Sequence, residues 1–421
     1  MQQFRVEVCF LLVAGLLFLV PASSASEVTS DLAGKWPRPR ILISVSDSLH
    51  NSPNVHGDLT GAIRNSIDLW SGTADLTIET VVTEAQSVSP KGIRGDGISL
   101  ITSASTAENV LLFPRQAESP AAATRIFMDR RGNFTEADIV LNPFAKFSTD
   151  GTFGTYDLQA VITHEIGHLL GLDHSPVWGS VMFAKGGVSF GPATFPGIRQ
   201  SLPEVDAAAV RALYGSKASD SDCCGVVSGS VAGIGPKAKD LAAYVLLEEL
   251  ATGRIVGASS ISADSRYEIG GVREGSYRVR FVLEIGDSLV GSDEEVVQVS
   301  AADIVSVKFR PITSKISITA DLFGTSPQVA RLPGIVKLGD ITSLYIGGRS
   351  LENEAASVRI VGTDISLNRD AFRVKSYSDS VKVISFELPT LTSLAAGEYS
   401  LSVEDSLGRR RYLPGALVIS N

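Results

Sequence analysis

Residues 164–174 read His164-Glu165-Ile166-Gly167-His168-Leu169-Leu170-Gly171-Leu172-Asp173-His174, and Met182 follows eight residues later. On a helix, two histidines four apart project from one face a single turn apart, so both rings can reach one ion. Gly171 has no Cβ and can take the left-handed conformation that ends a helix and turns the chain back, which brings His174 toward the same point. Three neutral imidazoles around a tetrahedral zinc leave one position open, the arrangement of a catalytic site rather than a closed structural one. Glu165 can lean toward that position without being a ligand, and is the candidate general base for water held there. The plainer alternative is a core helix that happens to carry histidines. Against it, only five histidines occur in 421 residues, and three of them stand at ligand spacing with Glu and Gly in register.

The pattern H-E-x-x-H-x-x-G-x-x-H with a later methionine resembles the metzincin metalloproteases, and Ser175, directly after the third histidine, resembles their matrixin branch. The resemblance implies a catalytic zinc held by His164, His168 and His174, with Glu165 as catalytic base and a protein or peptide as substrate. It also implies that Ser180-Val181-Met182 is the Met-turn, with Met182 as an apolar floor under the metal and not a ligand. Ala137-Asp138-Ile139-Val140-Leu141-Asn142 is similar to the family's strand before the active-site helix, and residues 202–215 to its closing helix. The likeness covers about residues 36–215 and implies an α+β zincin fold, with a mixed sheet packed against an active-site helix. Two departures stand out. No cysteine lies between the leader and the motif, so latency through a zinc-bound thiolate is excluded, and Val205 occupies the place of the first of two family acids, leaving Asp206.

Arg5, an apolar run over 8–20, Pro21 and the small residues Ala22-Ser23-Ser24-Ala25 read as a secretory signal peptide over residues 1–25. The run is too short to span a bilayer, so no transmembrane anchor is expected and the protein should be extracellular. The formal net charge is −9, and the densest basic stretch, Arg409-Arg410-Arg411, reads as a solvated turn. Nothing there points to nucleic acid or an anionic membrane. Cys223 and Cys224 are neighbours, closer than an ordinary disulfide prefers. Such a chain must be held by its cores and by bound ions rather than by a disulfide framework.

The catalytic unit is expected over 26–216. Residues 40–45, 76–82, 98–101, 110–113, 123–128 and 138–141 read as strands, with a helix from Leu59 to Trp70. Asp157 is placed to cap the helix that carries the motif. Calcium is a family option for the loop 144–154, but its lone Asp150 favours a plain turn. His50 and His56 are remote from that loop in sequence, which argues against a second, structural zinc. Phe190 and Phe195 are candidates for the wall of the substrate pocket.

Lys217-Ala218-Ser219-Asp220-Ser221-Asp222 reads as a polar linker across which few contacts are expected. Beyond it, short β runs separated by turns suggest two all-β sandwiches, over 223–312 and 313–421. Gly271 to Tyr277 resembles the carboxypeptidase regulatory-like module, and the strands around Leu344, Val381, Gly397 and Gly415 resemble an immunoglobulin-like IPT/TIG module. Neither shows a catalytic constellation. A spacer role, with contact to a cell surface or matrix, is the expectation. The rival reading of the whole chain is an adhesive scaffold whose zincin unit is inactive or serves as a binding platform. Retention of Glu165 favours the enzyme.

Overall fold

The computed structural model describes residues 34–90, 94–184, 201–220, 223–234, 242–285, 289–310, 313–315, 318–327, 329–340, 342–349, 351, 355–376, 381–388 and 394–420. The expected signal peptide, Phe190 and Phe195 lie outside them.

The N-terminal unit contains β1 (Arg40–Ser46), β2 (Val55–His56), α1 (Leu59–Ser71), β3 (Thr77–Thr83), β4 (Leu100–Thr102), α2 (Ala107–Val110), β5 (Ala122–Met128), β6 (Phe134–Leu141), β7 (Phe147–Ser148), β8 (Tyr156–Asp157), α3 (Leu158–Leu169) and α4 (Glu204–Tyr214). The main sheet runs β3-β1-β4-β6-β5. Its first four strands pair in parallel, and β5 lies antiparallel to β6 at one end. Ile41, Ile43, Ile139 and Leu141 alternate onto the face that meets Ile162, Ile166 and Leu169 of α3, and all seven are buried. α1 locks against α3 through Trp70, fully buried, whose indole N–H donates to the Thr163 carbonyl at 2.9 Å.

Residues 110–113 do not form the expected strand. Thr106 accepts from the Asn109 N–H at 3.3 Å and starts the single turn α2. The buried Asn109 side chain donates to the carbonyls of Gln86 and Ala104, each at 2.8 Å, and accepts from the Val88 N–H at 3.0 Å. These local bonds outweigh the apolar run, of which Phe113 is buried while Leu111 is 70% exposed.

The second unit holds β9 (Cys223–Val231), β10 (Ala242–Glu249), β11 (Ile255–Ser260), β12 (Arg266–Arg273), β13 (Gly275–Ile285), β14 (Leu289–Val299), β15 (Ile304–Phe309) and β16 (Thr313–Lys315). They form two sheets, β11-β10-β13-β14-β16 and β12-β9-β15, so this unit's sheet runs past residue 312 to Lys315. Cys223 and Cys224 are bonded to each other at the start of β9. The third unit holds β17 (Leu322–Gly324), β18 (Gly334–Lys337), β19 (Ser343–Gly348), β20 (Ala355–Ile360), β21 (Ser366–Asn368), β22 (Arg373–Ser376), β23 (Lys382–Glu387), β24 (Gly397–Asp405) and β25 (Arg410–Ser420). Its sheets run β17-β19-β23-β22 and β18-β25-β24-β20-β21.

Arg409-Arg410-Arg411 is not simply a solvated turn. Arg410 and Arg411 open β25, Arg411 is buried, and Arg409 and Arg410 pair with Asp405 and Glu404 across the hairpin at 2.6 and 3.0 Å. The polar linker also misleads, because the units pack closely on either side of it. Arg211 of α4, buried, donates through Nε and an Nη to the Gly271 carbonyl at 3.1 and 2.9 Å and pairs with Glu204. Gly271 has φ of 66°, and a Cβ there would strike the Ala208 carbonyl of α4. One apolar cluster joins Val177, Trp178 and Val205 of the first unit to Tyr244 and Ile255 of the second and to Leu413 and Leu417 of the third. A linker's composition reports the solvation of its own backbone and says nothing of the surfaces that flank it.

Candidate metal centre

α3 begins where expected, with the Asp157 carboxylate accepting from the Ala160 N–H at 3.0 Å. It ends at Gly171, whose φ is 100°, and a Cβ there would meet the Gly34 carbonyl at 2.6 Å. Glycine therefore serves twice, for its conformation and for the close approach of another chain segment. The reversal returns the chain so that His174 faces the two helical histidines.

The three rings converge through Nε2. The His168–His164 separation is 3.1 Å and the His168–His174 separation 3.2 Å. Nδ1 of His164 lies 2.7 Å from the Val181 carbonyl, and Nδ1 of His168 lies 2.8 Å from the Leu172 carbonyl. A carbonyl only accepts, so both Nδ1 atoms carry protons and both Nε2 lone pairs point to the shared centre. Lone pairs this close without a donor between them need a cation. Nitrogens 2.0–2.1 Å from a tetrahedral zinc would stand about 3.3 Å apart, near the spacing seen, so the donor set fits that ion. Burial, followed by repulsion from its histidine neighbours, holds His168 well below its ordinary pKa. The same causes lower His174 to about 4. Both are neutral near pH 7, the form in which an imidazole can ligate a metal. Among the described residues, no other group of three His, Cys, Asp or Glu side chains is gathered at metal-binding distance.

Met182 lies buried against α3. A Cβ at Gly167 would overlap its sulfur and would come within 3.1 Å of the Trp70 ring, which explains the glycine between Ile166 and His168. Asp206 fixes the Met182 turn from α4, accepting from Ser180 Oγ at 2.6 Å, the Val181 N–H at 2.8 Å and the Met182 N–H at 3.3 Å. Burial raises its carboxyl to about 6 against these bonds.

Glu165 is buried, with 6% exposure, and burial raises its pKa. Thr124 Oγ1 on β5 donates to Glu165 Oε2 at 2.6 Å and opposes that rise. Sequence reasoning missed Thr124, since a lone threonine in a strand carries no periodic or spacing signal. Asp150 accepts from both the N–H and the hydroxyl of Thr152, at 3.0 and 2.6 Å, closing a turn on itself. His56 lies exposed on β2, His50 is exposed after β1, and neither joins the cluster.

Residues 46–215 match the model of the Matrixin peptidase family. No curated protein matches the chain. Solved structures with partial likeness include SGBP-B of the mixed-linkage glucan utilization locus of Bacteroides ovatus, in complex with a mixed-linkage heptasaccharide, at 17% identity and TM-score 0.19 over 46% of this chain and 43% of that one. The chain thus spans less than half the length of that protein. Two others are BcpA, the major pilin subunit of Bacillus cereus, at 10% identity and TM-score 0.19 over 47% and 69% of the two chains, and the fimbrial anchor protein Mfa2 of Porphyromonas gingivalis, at 14% and 0.18 over 46% and 83%. Scores at that level carry no argument about this chain.

Proposed function

We propose that this chain is a secreted, zinc-dependent endopeptidase. The observation that carries the reading is the convergence of His164, His168 and His174 through Nε2, with the buried Glu165 one residue along from the first ligand. Bound there, zinc supplies Lewis-acid polarisation of a carbonyl and acidifies water beside it. Glu165 takes the proton from the attacking water and hands it to the departing amine, and its raised pKa suits both halves of that transfer. Thr124 holds one carboxylate oxygen, so the other is left to face the water.

β5 ends the main sheet, and α3 packs beneath it. An extended peptide can add to that edge as a further strand, which lays its carbonyls across the histidine cluster. Export through residues 1–25 belongs to the same proposal, as does contact of the sandwich modules with a cell surface or matrix.

The test is incubation of the mature protein with a mixed peptide library, with and without a chelator, with cleavage sites read by mass spectrometry. Cleavage that the chelator stops and added zinc restores is the expected result. A protein that holds zinc in full and cuts nothing would make the unit a binding platform and overturn the reading.

A further inference from the structure

The segment that carries Met182 is gripped from two sides, and one grip comes from the far end of the chain. Residues 175–182 close into a loop through the Ser175 N–H donating to the Met182 carbonyl at 2.8 Å. Asp206 holds the loop's end from within the first unit. Its middle rests on the third unit. The Trp178 N–H donates to the Pro414 carbonyl at 2.8 Å, and the left-handed Gly415, with φ of 67°, abuts Val177 so closely that a Cβ would overlap its methyl. Reciprocally, a Cβ at Gly179 would lie 2.7 Å from Glu398 Cγ, 3.0 Å from Val418 Cγ2 and 3.3 Å from the Gly415 carbonyl. Val177 and Trp178 are 0% and 3% exposed, and the apolar cluster that buries them includes Tyr399, Leu413 and Leu417 of the third unit.

The loop also touches the ligands. The Val181 carbonyl orients His164 through Nδ1, and Met182 fills the space against Gly167, the residue immediately before His168. A shift at Val177 to Gly179 therefore reaches a ligand ring through one backbone carbonyl, and such partners tune metal sites strongly.

We propose that the C-terminal sandwich is the rear support of the metal centre, with Pro414 and Gly415 acting as positioning residues that hold the 175–182 loop and, through it, the His164 ring. This rests on the zinc peptidase reading and departs from the spacer role expected of the module.

The test uses the full chain. Gly179→Ala should push the sandwich off the loop. It should weaken zinc in a chelator competition by about 10-fold, within the range for loss of an orienting partner, and speed amide exchange across 175–182. Turnover should fall with KM near wild type, because the peptide edge on β5 is untouched. Adding Glu398→Ala removes the carbon that Gly179→Ala strikes and should restore zinc affinity, exchange and turnover together, which general destabilisation would not do. Gly415→Val makes the same push from the sandwich side and serves if Gly179→Ala does not fold. Faster exchange in the loop with zinc affinity and turnover both within twofold of wild type would overturn the proposal, as would unchanged exchange in both variants. A wild-type protein that cleaves no peptide would sink the peptidase reading alone, since zinc affinity and exchange decide the support role without it.

Discussion

α3 and α4 are short helices of nearly equal length, 12 and 11 residues, and they sit in the same unit, yet they are written differently. α3 keeps most of its chemistry to itself: two of the three convergent histidines and Glu165 lie within five residues, and Leu172 and Val181, which orient the rings, follow in the same stretch, while Thr124 alone reaches Glu165 from β5. α4 contributes no ligand. It ties the Met182 turn with Asp206 and clasps the second unit with Ala208 and Arg211. A site whose geometry follows from helical spacing can be spelled in one stretch, while a junction is spelled in isolated residues whose meaning depends on a distant partner.

The comparison breaks most sharply at α3. Glu165→Gln keeps the side chain's shape but cannot accept a proton, so turnover should fall by roughly 10²–10⁴-fold while zinc content stays near wild type. Chelation of the native protein should abolish cleavage, and readdition of zinc should restore it. Loss of zinc from Glu165→Gln would show instead that the carboxylate helps hold the ligands.

On α4, Arg211→Met should cost about 2–3 kcal/mol, because it removes two charged hydrogen bonds to Gly271 and the nearer of the two arginines paired with Glu204, leaving only Arg273 at 3.6 Å. Thermal unfolding should shift down accordingly. An unchanged midpoint would mean that the α4 clasp contributes nothing to holding the units.

Thr124→Val is smaller and returns to α3. The hydroxyl favours the ionised form of Glu165, and the base must be ionised to work. Its loss should move the acid limb of kcat/KM to higher pH and lower the neutral rate by about 10-fold or less. A limb that stays in place would remove Thr124 from the tuning of the base.

The smallest effect belongs to Glu398, whose carboxyl burial and the nearby Asp206 raise to about 8, with Glu204 adding to the rise and Arg254 opposing it. An acid with a folded pKa above its unfolded value holds its proton in the folded state, so its contribution is full below about 4.5 and drains away as pH climbs toward 8. Glu398→Gln stays neutral throughout. Relative to wild type, its melting temperature should rise by on the order of a few degrees between pH 5 and pH 9. A difference that does not vary with pH would place the titration elsewhere.

What the sequence made legible follows the same division. The helix 158–169, its Asp157 cap, the reversal at Gly171 and the three convergent histidines rest on local rules of spacing and capping, and each is present in the fold. The run 110–113 misled because Thr106 and Asn109 offered the backbone nearer partners than a sheet could. β14 escaped notice because Glu294 and Glu295 interrupt its apolar pattern. Glu294 finds its partner only in register, directly opposite Arg280 of β13, with which it forms an ion pair at 2.7 Å. Arg409-Arg410-Arg411 failed for a like reason, since Asp405 and Glu404 meet it only once the hairpin has formed.

Gly271 presses its backbone against Ala208, and Gly415 does the same to Val177, so each contact joins two units through an atom that is not there. Substitution at one partner is survivable only if the other gives way, which binds distant parts of the gene into a shared mutational fate. The modules look like cassettes in the one-dimensional record. A recombination event at 217–222 that brought in foreign sandwiches would keep neither glycine by right, and any side chain at those two places would meet Ala208 and Val177 at once.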